Sequence, residues 1–259
     1  MRNLFTALLI AVLPLSVAAE SAEEKGLAIV QEADKRDLGW VDSKAELKMI
    51  LRNKQGQESE RSIRINNLEV HGDGDKSLSV FDSPKDIKGT AFLSYTHSTT
   101  PDEQWLYLPA LKRVKRIASA NKSGPFVGSE FAFEDLASQE VDKYTYKWLR
   151  DEPLDGRDCF VIEAYPVYEN SGYTRQVVWI DKEMYRAIRI DYFDRKNAPL
   201  KTLIASEWSQ YLDQYWRPGT MNMVNHQTGK STQLSWNNYQ FKTGLDDRDF
   251  DRNTLKRTR

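Results

Sequence analysis

The chain of 259 residues carries 37 Lys and Arg against 38 Asp and Glu, a formal net charge of −1. That balance excludes whole-protein attraction to nucleic acid or anionic lipid, and a lone cysteine, Cys159, excludes an intramolecular disulfide. Seven Trp, 12 Tyr and 10 Phe in an otherwise hydrophilic sequence favour half-buried pleated surfaces.

The first 19 residues read as a secretory signal: Arg2 gives a positive start, Leu4 to Leu13 is apolar, and Val17-Ala18-Ala19 is a small-residue cleavage site. Pro14 interrupts the apolar run, which falls short of the roughly 20 residues that span a bilayer. The chain is therefore expected to begin at Glu20 after export, and removal of Arg2 shifts the formal charge to about −2. Residues 20–259 show neither an internal repeat nor a low-complexity linker, which predicts one domain.

From Ser21 to Arg36 the spacing of Leu27, Val30 and Ala33 predicts a helix, ended at Gly39. Ala45, Leu47, Met49 and Leu51 then alternate with Lys44, Glu46 and Lys48, the period of a strand with one wet face. Asn53-Lys54-Gln55-Gly56 is the turn of a hairpin whose returning strand carries Ile63 and Ile65. Strands follow at 77–81, 90–95 and 104–108, and again at 144–149, 159–165, 174–180, 187–193, 201–208, 221–225 and 232–239, separated by Gly, Asn and Pro punctuation. The pattern predicts a mainly β protein with few helices, built as one antiparallel sheet closed or half-closed into a barrel.

Several of these strands are apolar on both faces. In 104–108, Trp105 and Tyr107 point one way and Leu106 and Leu108 the other; Val177, Val178, Trp179 and Ile180 repeat the pattern. A sheet with one face in water does not need this, so the second face is expected to meet another layer or enclose a cavity.

Groups for chemistry are sparse. His71, His97 and His226 are far apart in sequence and lack metal-ligand spacing. Asp247, Asp249, Asp251 and Asn253 lack the glycine and glutamate of a calcium loop and read as a solvated terminal turn. Cys159, within an apolar run, reads as a small buried hydrophobe. Glu130, Glu134 and Asp135 supply carboxylates for a hydrolase, but no base and nucleophile accompany them. No catalytic residue, metal ligand or cofactor is assigned.

The stretch Trp105 to Leu136 is the most distinctive. It joins a two-faced strand, a basic burst at Lys112, Arg113, Lys115 and Arg116, and a glycine-bearing loop with Phe126, Phe131 and Phe133. The basic burst reads either as a solvated strand end with Leu111, Val114 and Ile117 turned inward, or as a positive rim for lipid phosphates or an acidic partner. The phenylalanines read either as a barrel plug or as a flap hinged at Gly124 and Gly128.

Trp105-Leu106-Tyr107-Leu108-Pro109-Ala110-Leu111-Lys112-Arg113-Val114 and Gly128-Ser129-Glu130-Phe131-Ala132-Phe133-Glu134-Asp135-Leu136 resemble the paired central motifs of the outer membrane lipoprotein-sorting proteins, relatives of the periplasmic lipoprotein carriers and outer-membrane lipoprotein receptors. Val178-Trp179-Ile180-Asp181 and the segment Phe250 to Leu255 are similar to later landmarks of that family. The resemblance implies an unclosed antiparallel β-barrel with helices covering its concave face, for which the strand spacing predicts about ten or eleven strands. It implies a monomeric carrier of lipid or lipoprotein acyl chains in the periplasm of a Gram-negative bacterium, working between an inner-membrane transporter and an outer-membrane acceptor. A periplasmic accessory protein that docks on an exporter and carries nothing is the alternative. In the carriers an early-strand arginine bonds the lid; Arg52, Arg61 and Arg64 are all candidates for that role here. The expected cavity lining is Leu47, Met49, Ile63, Ile65, Trp105, Tyr107, Phe126, Phe131, Phe133 and Trp179, with Lys112 to Arg116 at the rim.

Overall fold

The computed structural model describes residues 20–257; the predicted signal segment lies outside the described residues. The chain opens with helix α1 (Ala22–Arg36) and continues with β1 (Asp42–Arg52), β2 (Glu58–Leu68), β3 (Lys76–Ser83), β4 (Ala91–Tyr95), β5 (Glu103–Leu108) and β6 (Arg113–Arg116). After a long connection come β7 (Tyr144–Leu154), β8 (Arg157–Pro166), β9 (Tyr173–Asp181), β10 (Ala187–Asp194), β11 (Pro199–Tyr211), β12 (Tyr215–Asn225) and β13 (Ser231–Phe241).

The strands form one antiparallel sheet in the order β6-β5-β4-β3-β2-β1-β13-β12-β11-β10-β9-β8-β7. Two meanders, β1–β6 and β7–β13, are joined where β1 pairs β13, with Leu47 opposite Trp236 and Met49 opposite Leu234. Among the described residues no pairing links β6 to β7, so the sheet is unclosed. It has 13 strands, more than the ten or eleven expected, and twelve of them fall on the segments read one by one from the sequence. The strand absent from the sequence reading is β6: four residues, three of them basic, carry no alternation that separates a strand from a solvated turn.

Alternation places the two faces unambiguously. Leu47, Met49, Ile63, Phe81, Phe92, Ile162, Val178, Ile190, Leu203, Met223 and Leu234 share one buried cluster on the concave face. The convex face carries two further clusters. Leu78, Val80, Leu93 and Trp105 lie under the C-terminal segment, whose Phe250 and Leu255 are buried against them. Cys159, Val161, Val177, Trp179, Met184 and Ile188 form the other. The tail read as a solvated turn is therefore a strap, its carboxylates outside and its apolar side chains inside.

A capping box starts α1: the Glu24 amide donates to Ser21 Oγ at 3.1 Å and the Ser21 amide donates to Glu24 Oε2 at 2.8 Å. The helix crosses β7 at Gly26, where an added Cβ would stand 2.7 Å from the Trp148 nitrogen. Ile29 enters the concave cluster. Instead of several helices, one α-helix and a connection with short 3-10 turns cover that face.

Candidate binding site

The connection 117–143 runs from edge strand β6 to the opposite edge strand β7, so it must traverse the concave face. Its apolar side chains drop into that face. Phe126, Phe131 and Phe133 are buried, and Phe126 meets Phe92, Phe133 and Phe81 at ring-centroid distances of 5.1, 5.6 and 5.9 Å. These tilted and edge-on contacts each add about 0.5–1.5 kcal/mol beyond area burial. The loop thus fills the half-barrel in place of a second sheet.

Polar contacts fasten it to both meanders. The Arg61 guanidinium, half-buried on β2, donates to the Val127 carbonyl at 2.5 Å. Of the three early arginines, Arg61 is the one that holds the loop: Arg52 pairs with Glu58 at 2.5 Å and Arg64 with Asp82 at 2.8 Å. Gln104 on β5 donates to the Phe133 carbonyl at 3.0 Å, and the Glu130 amide donates to Thr232 Oγ1 on β13 at 2.9 Å.

The far side is tied by charge. Lys201 on β11 contacts Asp135 at 2.6 Å, the two side chains being 4% and 5% exposed, and also donates to the Glu130 carbonyl at 3.0 Å. Tyr173 donates its hydroxyl to the other Asp135 oxygen at 2.7 Å. Burial next to this carboxylate pushes the Tyr173 phenol well above its ordinary pKa, so it remains a donor. Glu134 accepts from Tyr168 at 3.0 Å, Ser171 at 2.9 Å and the Gly172 amide at 2.9 Å, while burial raises its pKa. Asp102 takes both Lys122, at 2.9 Å, and Lys143. Burial works against the Asp102 carboxylate, but its two lysines hold its pKa below the usual value. The three carboxylates weighed for hydrolysis are therefore loop anchors: Glu130 accepts from Asn225 at 2.7 Å, and the other two are saturated as described.

The expected lining residues divide between the faces. Leu47, Met49, Ile63 and Ile65 come together with Phe126, Phe131 and Phe133 on the concave side. Trp105, Tyr107 and Trp179 lie on the convex face, where Trp105 opposes Leu93 across β4–β5 and Trp179 packs near Met184. The grouping inverts at these strands because both faces are apolar, which leaves nothing in the sequence to choose between them; Leu106, Val178 and Ile180 take the concave positions. The basic burst also divides. Arg116 pairs with Glu103 on the convex side at 2.9 Å, whereas Arg113 and Lys115 alternate to the other side. Leu111, expected to turn inward, is 63% exposed. Lys201 and Tyr173 escape a reading of the sequence, since a lysine in an alternating strand reads as a wet-face residue and a strand tyrosine as core.

An opening of about 280 Å³ lies beside the loop tip, between Leu51, Ser59, Gly128, Glu130 and Thr232. A larger groove of about 370 Å³ runs over the convex face past Lys44, Arg64, Leu78 and Val80. Cys159 is buried, which pushes its thiol up to about 11 and disfavours the thiolate. His97 Nδ1 lies 2.7 Å from Asp73, and His226 Nε2 lies 2.8 Å from Thr202. Among the described residues no group of three His, Cys, Asp or Glu is placed to hold a metal ion.

A family model described as that of an uncharacterized protein matches residues 73–257. A Vibrio parahaemolyticus structure assigned to the outer membrane lipoprotein-sorting proteins is 57% identical, over 90% of this chain and 99% of its own, with a TM-score of 0.89. The chain belongs to the outer membrane lipoprotein-sorting protein family. A DUF1329 family protein from Desulfovibrio piger is 30% identical over 91% of this chain and 99% of its own, with a TM-score of 0.86. A LolA superfamily protein from Nitrosomonas europaea shares the fold at 18% identity, with a TM-score of 0.69 over 91% of this chain and 99% of its own. None of the curated proteins compared matches. In this family member the two central motifs are the strand β5 with its turn into β6, and the anchored half of the aromatic loop. Among the described residues no helix is long and apolar enough to cross a membrane.

Proposed function

We propose that this protein is a monomeric, non-enzymatic carrier in the periplasm of a Gram-negative bacterium. It takes up lipid or lipoprotein acyl chains and moves them toward the outer membrane, receiving them from an inner-membrane transporter and passing them to an acceptor. The single observation that supports this reading is the occupant of the concave face. The apolar concave face of a 13-stranded sheet is covered by one helix and a long loop of the same chain, the loop held by separate polar contacts at its tip and flanks.

In this reading the loop stands where cargo would lie. Leu47, Met49, Ile63 and Ile65 line the space, and Phe126, Phe131 and Phe133 occupy it until cargo enters past Gly128. The magnitudes permit exchange. Burying three phenylalanines is worth about 1.5–3 kcal/mol each, whereas an acyl chain gains about 0.8 kcal/mol per methylene, so about twelve methylenes compensate the loss. Release then needs a partner or a return of the loop.

Gentle purification, solvent extraction and mass spectrometry test this reading. Co-purifying or exchangeable lipid in stoichiometric amount is expected. Repeated absence of both, with a fluorescent fatty acid also failing to bind, removes the carrier function.

A further inference from the structure

The sheet ends on β7 at one side and on β6 at the other, and the chain treats the two edges differently. Helix α1 crosses β7: Gly26 lies against its backbone, and Lys25 Nζ stands 3.5 Å from the centroid of the Trp148 ring. Among the described residues no strand pairs with the outer side of β6, and its backbone bonds only within the ladder with β5. The C-terminal strap meets β6 on the convex side, where Val114 packs against the cluster of Phe250 and Leu255.

The register fixes which groups this open edge presents. The Ile117 amide donates to the Gln104 carbonyl at 2.8 Å, and the hydrogen-bonded pairs of an antiparallel ladder recur at every second residue. Lys115 opposite Leu106 and Arg113 opposite Leu108 therefore bond to β5. Val114 and Arg116 turn their N–H and C=O groups outward, at the spacing that a further strand would need. The side chains add charge to that edge. Lys112, Arg113, Lys115 and Arg116 are exposed, as is Leu111 at 63%, and of the four cations only Arg116 has an ion-pair partner among the described residues.

We infer that the β6 edge docks an extended acidic segment of a partner protein, which joins the sheet as a further strand. The outward backbone groups set the form of the occupant, since main-chain pairing on a sheet edge requires an extended chain. The cations set its composition. A second copy of this chain is a poor occupant, because pairing β6 with β6 places cations opposite cations. A segment in which carboxylates alternate with apolar side chains fits. Its carboxylates meet Arg113 and Lys115 on one face, and its apolar side chains lie beside Val114 on the other, with Leu111 exposed just before the strand. The inference is independent of acyl-chain carriage, because strand pairing needs no cargo.

Fluorescence anisotropy of a labelled peptide of alternating Glu and Val, titrated with the purified protein, tests it. Saturable binding is expected. A peptide of alternating Glu and Pro carries the same charge but lacks the amides that would face Val114 and Arg116, and should not bind. Arg113→Gln with Lys115→Gln should weaken binding about tenfold. Lys147→Gln with Arg150→Gln makes the same change in net charge on the opposite edge strand and should leave binding intact. Val114→Pro should abolish binding, whereas Val114→Ala, which keeps the amide, should retain it; proline is tolerated at an edge position whose amide does not serve the sheet. On the parent protein, the Glu-Val peptide should slow hydrogen exchange of the Val114 and Arg116 amides, read by NMR, and leave those of Arg113 and Lys115 unchanged. No saturable binding, equal binding of the Glu-Pro peptide, undiminished binding by Val114→Pro, or unchanged exchange at Val114 and Arg116 overturns the proposal.

Discussion

Val127 adopts φ 46° and ψ 38°, a left-handed conformation that costs a β-branched residue on the order of 1–3 kcal/mol. That backbone turns its carbonyl onto Arg61, and the charged hydrogen bond helps offset the strain. Arg61→Leu keeps an apolar stem but removes the donor. Amide exchange across residues 124–134 should then accelerate at least tenfold while the sheet amides keep their protection, as read by hydrogen-exchange mass spectrometry. At the other anchor, Asp135→Asn strands the buried Lys201 ammonium with the Glu130 carbonyl and should cost about 3–5 kcal/mol in denaturant unfolding. Adding Lys201→Met should recover part of that loss, because it removes the ammonium left without its carboxylate, while the amide oxygen serves only one of the two donors, Tyr173 and the Ala132 amide, that the carboxylate accepts from. Asp75 gives a pH signature: burial first, then nearby Glu140, Glu69 and Asp37, raise its pKa from 3.8 to about 7. A carboxyl with a raised folded-state pKa favours folding when protonated, so its contribution fades as pH rises from about 4 to about 7. Asp75→Asn, which mimics the protonated form, should be more stable than the parent at pH 7.5 and similar at pH 4 in thermal melts. These side chains are barely legible in the sequence. Three early arginines look alike, and a buried lysine in an alternating strand looks the same as an exposed one.

At the scale of elements, periodicity is informative wherever one face is wet. The helix expected over Ser21 to Arg36 is observed as Ala22–Arg36, and the β1–β2 hairpin has the expected turn. Where both faces are apolar, as in β5 and β9, the alternation carries no orientation, so Trp105, Tyr107 and Trp179 fall on the face opposite to the one expected. The aromatic loop is visible as composition, but its path is not, because crossing from β6 to β7 follows only from the strand order. Gly26 shows an element-level constraint that sequence hides. Alanine would gain about 1 kcal/mol of helix propensity, yet its Cβ would meet two backbone nitrogens of β7, at 2.7 and 2.9 Å, which cannot move as a side chain can. Overpacking of this kind costs about 1–3 kcal/mol, so after the propensity gain Gly26→Ala should destabilise the protein by up to about 2 kcal/mol and loosen α1 from β7. Circular dichroism melts and exchange of the α1 amides check it.

For the whole molecule, fold class and family are legible because turn punctuation and the paired central motifs are local signals. The topology is not local, since the strand order, and with it the path of the loop from β6 to β7, emerges only once the two meanders are joined. The pairing of β1 with β13 has a consequence for biogenesis. Met49 waits for Leu234 as its neighbour, so the centre of the sheet is its latest contact to become available as the chain is made. Each meander can form from hairpins as it appears, but the concave face is continuous only after the join. In pulse-labelled refolding, amides shared by β1 and β13 should gain protection together, after those of the β1–β2 and β11–β12 hairpins. Until then the two half-sheets expose unpaired edges and an unshielded greasy surface, which makes the interval between synthesis and closure the time when such a chain most needs a chaperone.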